Sequence, residues 1–224
     1  VEGDLRGPAS GSPAILTSLN DNSPFGGTDP SSPADWQGVT YGTGMTANLT
    51  NITIRHAKYG VAGAPAAVVG ATFDRCYQAL FVDSGTDGSA NSRTQPLAVT
   101  GCTFLSSNFS TASAAPLTVS GCTFNASQLT VQGQTGDPDV SVTGNNFSNT
   151  GRAVFVGSLG QLAMSGNTSG DGNPASFQLG NSFPSGLSLS KNNTWNPQPG
   201  IHLINFNVVV RAGVTLNLGS GLVV

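Results

Sequence analysis

Arg55, His56 and Lys58 fall within the six residues RHAKYG, and the next cationic side chain along the sequence, Arg75, directly follows Asp74 in FDRC. Cations beside a carboxylate suit sugar-acid chemistry, in which Arg75 or Lys58 would act as base and an Asp would hold Ca²⁺. Arg55, Lys58, Asp74 and Arg75 are therefore the candidate catalytic residues. A surface ion pair at a corner of the fold, worth about 0–1 kcal/mol, accounts for the same four and is the preferred account.

Asp137 and Asp139 flank Pro138 and form the candidate metal pair, either as glycosidase-like carboxylates or as a calcium loop. Asp and Pro also favour turns for backbone reasons, and the positions in register with this pair in adjacent copies of the repeat described below are Ser, Gly and Ala. Asp21, Asp29 and Asp35 sit in LNDNSPFGGTDPSSPADW, a Pro-, Gly- and Ser-rich loop over about 20–36 that either binds a cation or covers the flank of the fold. Structural cover is the preferred reading. Neither Cys102 nor Cys122 is paired with His as a cysteine nucleophile requires, and no cofactor is expected.

Composition narrows the class. Only 8% of the 224 residues are charged, and Ser, Thr, Asn and 30 Gly supply the polarity, which suits an extracellular or cell-surface β-protein. A net charge of −3 with eight Lys and Arg excludes a nucleic-acid surface. No apolar run approaches the roughly 20 residues of a spanning helix. Three cysteines without CxxC spacing make neither a disulfide framework nor a zinc finger.

The elements that must position these groups are written in a repeat. PLAVTGCTFLSS at 96–107 recurs as PLTVSGCTFNAS at 116–127, with further copies at 66–73, 140–147, 162–169 and 187–194 and a degenerate one at 49–54. Alignment places Asn51, Gly70, Gly101, Gly121, Gly144, Gly166 and Lys191 at one position. Each copy opens with inside–outside alternation, turns at the glycine, and resumes inward. A short unit of two or three strands cannot bury its apolar face alone, whereas stacked coils can. The expectation is one all-β domain over 1–224, a right-handed parallel β-helix of roughly 19–25-residue coils, with an insertion at about 83–95.

Columns follow from stacking. Cys102, Cys122, Asn145, Asn167 and Asn192 should form one inward ladder, with the amides bonded at about 4.8 Å spacing. Phe73, Phe104, Phe124 and Phe147 should form an aromatic core stack beside it. Cys102 and Cys122 are then neighbours, as buried thiols or as a disulfide. Outward Thr53, Thr72, Thr103 and Thr123, continued by Asn146, Thr168 and Asn193, make a column that either binds ice or simply solvates a strand. N-x-S/T triplets occur at Asn48, Asn108 and Asn125. VTLNLGSGLVV at 214–224 carries no charge and VEGDL opens in β-like fashion, so self-association through the terminal coils is expected, either between molecules or within a longer chain.

AILTSLNDNS, running through DWQGVTYG to LTNITIRHAKYGV, together with VRAGVTLNLGSGLVV, resembles repeat modules of large bacterial surface proteins in the pectate-lyase-like right-handed β-helix superfamily. The resemblance implies fold rather than activity, because the lyases' Asp and Arg clusters have no clear match. The function expected is a non-enzymatic structural or adhesive module. The alternatives are a polysaccharide lyase or hydrolase near Arg55–Arg75, or a carbohydrate- or ice-binding face, with a polysaccharide as partner.

Overall fold

The computed structural model describes residues 3–25, 29, 31–41, 48–63, 65–82, 95–112, 115–131, 138–156, 160–179, 187–205 and 208–222. The chain winds as a parallel β-helix with coils of about 23 residues. Three parallel sheets make its walls. The first and second sheets have seven strands each, from Leu5–Arg6 to Leu162–Ser165 and from Ala14–Leu16 to Thr168–Ser169, and the third has eight. A coil before the first recognised repeat is thus present, since Leu5 pairs with Leu49 and Ala14 with Ile52. Asp137 and most of the 83–95 insertion lie outside the described residues. Among the described residues, no helix is long and apolar enough to cross a membrane.

Each corner between the first and second sheets turns on one left-handed residue. Gly101, Gly121, Gly144 and Gly166 have φ of 61° to 64°. A Cβ at Gly101 would meet nothing within 4 Å, so backbone conformation rather than crowding selects glycine there. The next corner, between the second and third sheets, uses left-handed residues with side chains: His56, Arg75, Ser106, Ala126 and Asn149, at φ 47° to 57°. Such backbone is unfavourable by roughly 1–2 kcal/mol per residue and persists because the strands on both sides are fixed by pairing.

Register between copies is in phase from coil to coil. Phe73, Phe104 and Phe124 are direct cross-strand partners, as are Phe124 and Phe147. Their rings stack at 5.3, 4.5 and 4.9 Å, all fully buried, and Phe177 closes the stack edge-on against Phe147. Each buried ring contributes roughly 1.5–3 kcal/mol. Outside, Thr53, Thr72, Thr103, Thr123, Asn146 and Thr168 share one column.

The last copy is placed differently from the sequence alignment. Leu187–Leu189 pairs with Val208–Val210 as a separate two-stranded sheet. Asn193–Trp195 takes the place under Leu162–Ser165, with Asn193 Oδ1 accepting from the Leu162 N–H at 2.6 Å and Asn193 Nδ2 donating to Gly160 O. Asn193 is therefore buried and leaves the outward Thr column, and Asn192 is exposed, accepting only from the Thr215 N–H. The cause lies at the corner. Lys191 does not adopt the left-handed backbone of the aligned glycines, so LSLSKNNT is an added strand and turn before the true coil begins at Asn193.

Candidate functional site

Stacking of Arg55 on Asp74, direct partners on adjacent strands of the second sheet, brings the charged residues to the corner where that sheet turns into the third. The loop after Leu16 folds across this corner. Asp21 is built into the loop by its own neighbours, accepting from Thr17 Oγ1 at 2.7 Å and from the N–H and Oγ of Ser23 at 3.0 and 2.6 Å. Asp29 accepts from the Ser31 N–H, and Asp35 accepts from Ser18 Oγ while its N–H donates to His56 O. Trp36 Nε1 donates to Arg55 O at 2.7 Å, anchoring the far end of the loop to the strand beneath.

Arg55 is the hub. Its Nη1 donates to Asp21 Oδ2 and to Ser23 Oγ, both at 2.7 Å, its Nε to Asp74 Oδ2 at 3.0 Å, and its Nη2 to Asp29 Oδ2 at 3.3 Å. Arg75 binds Asp74 from the other side and reaches Asp29 Oδ2 at 2.5 Å. The Asp21 side chain is fully buried and that of Arg55 is 14% exposed. Burial pulls the Asp21 carboxyl upward, but hydrogen bonds from Ser23 and Thr17 and the charge of Arg55 bring it down to about 2. Asp74 beside Arg75 pushes that guanidinium above its ordinary value, against a smaller opposing effect of burial.

These facts decide what the cluster can do. A guanidinium serves as a base only when its pKa is lowered, and Arg75 is shifted the other way. Asp21 is ionised, its side chain buried and its oxygens held by Thr17, Ser23 and Arg55, which suits neither a general acid nor a substrate contact. Lys58 is not brought to the cluster; it lies on the third sheet with its ammonium 5.2 Å from the centre of the Tyr59 ring. Asp139 pairs with Lys191 Nζ at 2.7 Å on another face. No family model matches the chain, and no curated protein or solved structure matches it either. Function must therefore be argued from this geometry.

One residue of the site escaped the sequence reading as a ligand: His56, fully buried at the corner, with Nε2 at 3.1 Å from Asp29 Oδ2 and 3.8 Å from Asp21 Oδ2. Asp21, Asp29 and His56 place one ligand atom each within 4.8 Å of one another. The inward ladder runs elsewhere, along the first corner. The Cys102 N–H donates to Cys122 Sγ, the Cys122 N–H to Asn145 Oδ1, and Asn145 N and Nδ2 to Asn167 Oδ1. Gln198, not Asn192, follows, its Oε1 accepting from N and Nδ2 of Asn167. A second ladder, missed in the sequence, lines the other corner, where the Cys76 N–H donates to Ser107 Oγ and the Ser107 N–H to Ser127 Oγ, both at 2.9 Å. Its signal was present: each of the three residues stands three places after a stacked Phe. All three cysteines are free thiols and buried.

Proposed function

We propose that the chain is a non-catalytic extracellular structural or adhesive module, a member of the pectate-lyase-like β-helix superfamily whose outer coils carry contacts with further copies or with adjoining coils. The observation behind this reading is that Arg55, Arg75 and Asp74 of the coils and Asp21 and Asp29 of the segment after Leu16 satisfy one another. Groups arranged this way fasten a loop; chemistry on a substrate needs them turned outward. The ends favour association. Among the described residues, five of the seven exposed large apolar side chains lie there: Ile15 and Leu19 in the first coil, Val209, Val210 and Leu218 in the last strands.

The test is a turnover screen with pectate, alginate and hyaluronan, with and without Ca²⁺, followed by ultraviolet absorbance of unsaturated product. No product is expected. Sustained turnover that disappears in Arg75→Ala would overturn the proposal in favour of a polysaccharide lyase.

A further inference from the structure

We propose that Asp21, Asp29 and His56 form a binding site for one divalent transition-metal ion of the zinc type. The inference goes beyond the structural reading above and does not depend on it. His56 carries the argument. Its side chain has no solvent exposure, and neither Nδ1 nor Nε2 makes a hydrogen bond, although Nε2 lies 3.1 Å from Asp29 Oδ2 and 3.8 Å from Asp21 Oδ2. A buried imidazole normally has a partner at both nitrogens. A metal ion between Nε2 and the two Oδ2 atoms supplies one.

Spacing and charge fit such an ion. Donors about 2.0–2.2 Å from a tetrahedral zinc stand roughly 3.4 Å apart, and the His56 separations are 3.1 and 3.8 Å. Asp21, Asp29 and Asp74 carry three negative charges against the two of Arg55 and Arg75, so these five side chains sum to −1. Each carboxylate oxygen offers two lone pairs. At Asp29 Oδ2, Arg75 keeps its place as an outer partner, and the longer contact from Arg55 Nη2, at 3.3 Å, is the one that must give way to the ion. At Asp21 Oδ2, where Arg55 and Thr17 both bond, the Thr17 hydroxyl is the partner that must turn aside. Thr17 has room to do so, because with Ser18, Asp21 and Trp36 it lines a cleft of about 360 Å³ that gives an approach from solvent. One imidazole with two carboxylates suits Zn²⁺ better than Ca²⁺, which takes six to eight oxygens. The bound ion would tie the loop to the corner from inside, and by mass action would raise stability.

The test uses the tag-free chain, stripped with EDTA and titrated with ZnCl₂, CaCl₂ or MgCl₂ by calorimetry and thermal melting. One equivalent of Zn²⁺ should bind and raise the melting midpoint by several degrees, while Ca²⁺ and Mg²⁺ leave it unchanged. Asp29→Asn should weaken zinc binding at least tenfold. The chain contains two histidines, so His202→Ala leaves His56 as the sole imidazole. Zinc-edge X-ray absorption of that variant should show one imidazole and oxygen neighbours, a readout independent of whether substitutions at the site fold. Absence of stoichiometric zinc binding, sulfur neighbours, or a zinc shell lacking imidazole would each overturn the proposal.

Discussion

Asn145 and Asn167 stand one above the other inside the solenoid, and Asn167 Oδ1 accepts both the backbone N–H and the side-chain Nδ2 of Asn145, each at 3.0 Å. Asn167 Nδ2 in turn donates to Val142 O at 2.8 Å. Replacing Asn167 by Leu removes an acceptor from two buried donors at about 1–3 kcal/mol for each group left unpaired. Urea denaturation should show that loss, while Thr123→Ala, on the exposed column, changes stability by less than about 0.5 kcal/mol. Equal effects of the two substitutions would mean that the ladder contributes nothing.

Gly144 and Ala126 occupy the two kinds of corner at φ 64° and 50°. A Cβ on Gly144 would approach nothing nearer than Gly121 N at 3.9 Å, so Gly144→Ala should be unfavourable by the conformational penalty alone, about 1–2 kcal/mol. Ala126→Gly relieves the same penalty and should leave stability unchanged or raise it. Opposite signs in the two denaturation curves are the expected result.

Arg55 compensates a carboxylate whose side chain is fully buried. Arg55→Ala should release the 17–35 loop while the stacked coils remain folded. Hydrogen exchange then rises at the Asp35 amide, which bonds to His56 O, and stays unchanged at Phe124 and Val142. Arg75, with a side chain 37% exposed, should matter less. Global unfolding of Arg55→Ala would show that the corner supports the whole solenoid.

Burial pushes the Cys76 thiol up to about 11. The folded state therefore holds this proton more tightly than the unfolded chain. The associated stability is fully present below the unfolded value near 8.5 and is lost as pH rises towards 11, up to about 3 kcal/mol. Melting in alkaline buffers should show that decline, reduced in Cys76→Ala. Alkylation of the native chain at pH 8 should leave Cys76, Cys102 and Cys122 unmodified.

Val209 and Leu218 are about half exposed on the last strands. If they meet the apolar first coil of another copy, the mass from light scattering rises with concentration, and Leu218→Lys holds it at one chain. A mass of one chain at every concentration would remove end-to-end contact between molecules from the proposal.

The solenoid was legible because its register rests on residues that repeat as residues: the corner glycines and the Phe stack recur at the same places and pair as neighbours. The last coil differs from the alignment because LSLSKNNT imitates the alternation of a coil, while the one sign that distinguishes it is Lys191 in place of the corner glycine. The Ser107–Ser127 ladder was obscured for a related reason. Its left-handed residues, such as Ser106 and Ala126, are not glycine, so only the constant spacing of three residues after each stacked Phe marked the corner there. The Arg55–Asp74 pair was readable from register, but Asp21 and Asp29 reach it from a non-repeating loop, and no periodicity predicts where such a loop lands.

Between Leu97 and Asn125 each strand-to-strand corner inside a coil uses two residues, whereas the return from the third sheet to the first takes fourteen residues after Val82, five after Thr111 and eight after Val131. Length therefore varies most at the return edge, ranges from one to five residues at the corner between the second and third sheets from Arg55 onward, and stays at two at the corner between the first and second sheets from Val69 to Thr168. Segments added on that edge leave every inward column in phase, and a whole coil can be gained or lost by duplication between equivalent returns. One residue inserted after Gly121 would instead exchange inside for outside along Thr123–Asn125, exposing Phe124. Such a solenoid can thus change its return loops and its number of coils while the corner between the first and second sheets keeps one length, which makes the return edge the place to graft a foreign epitope.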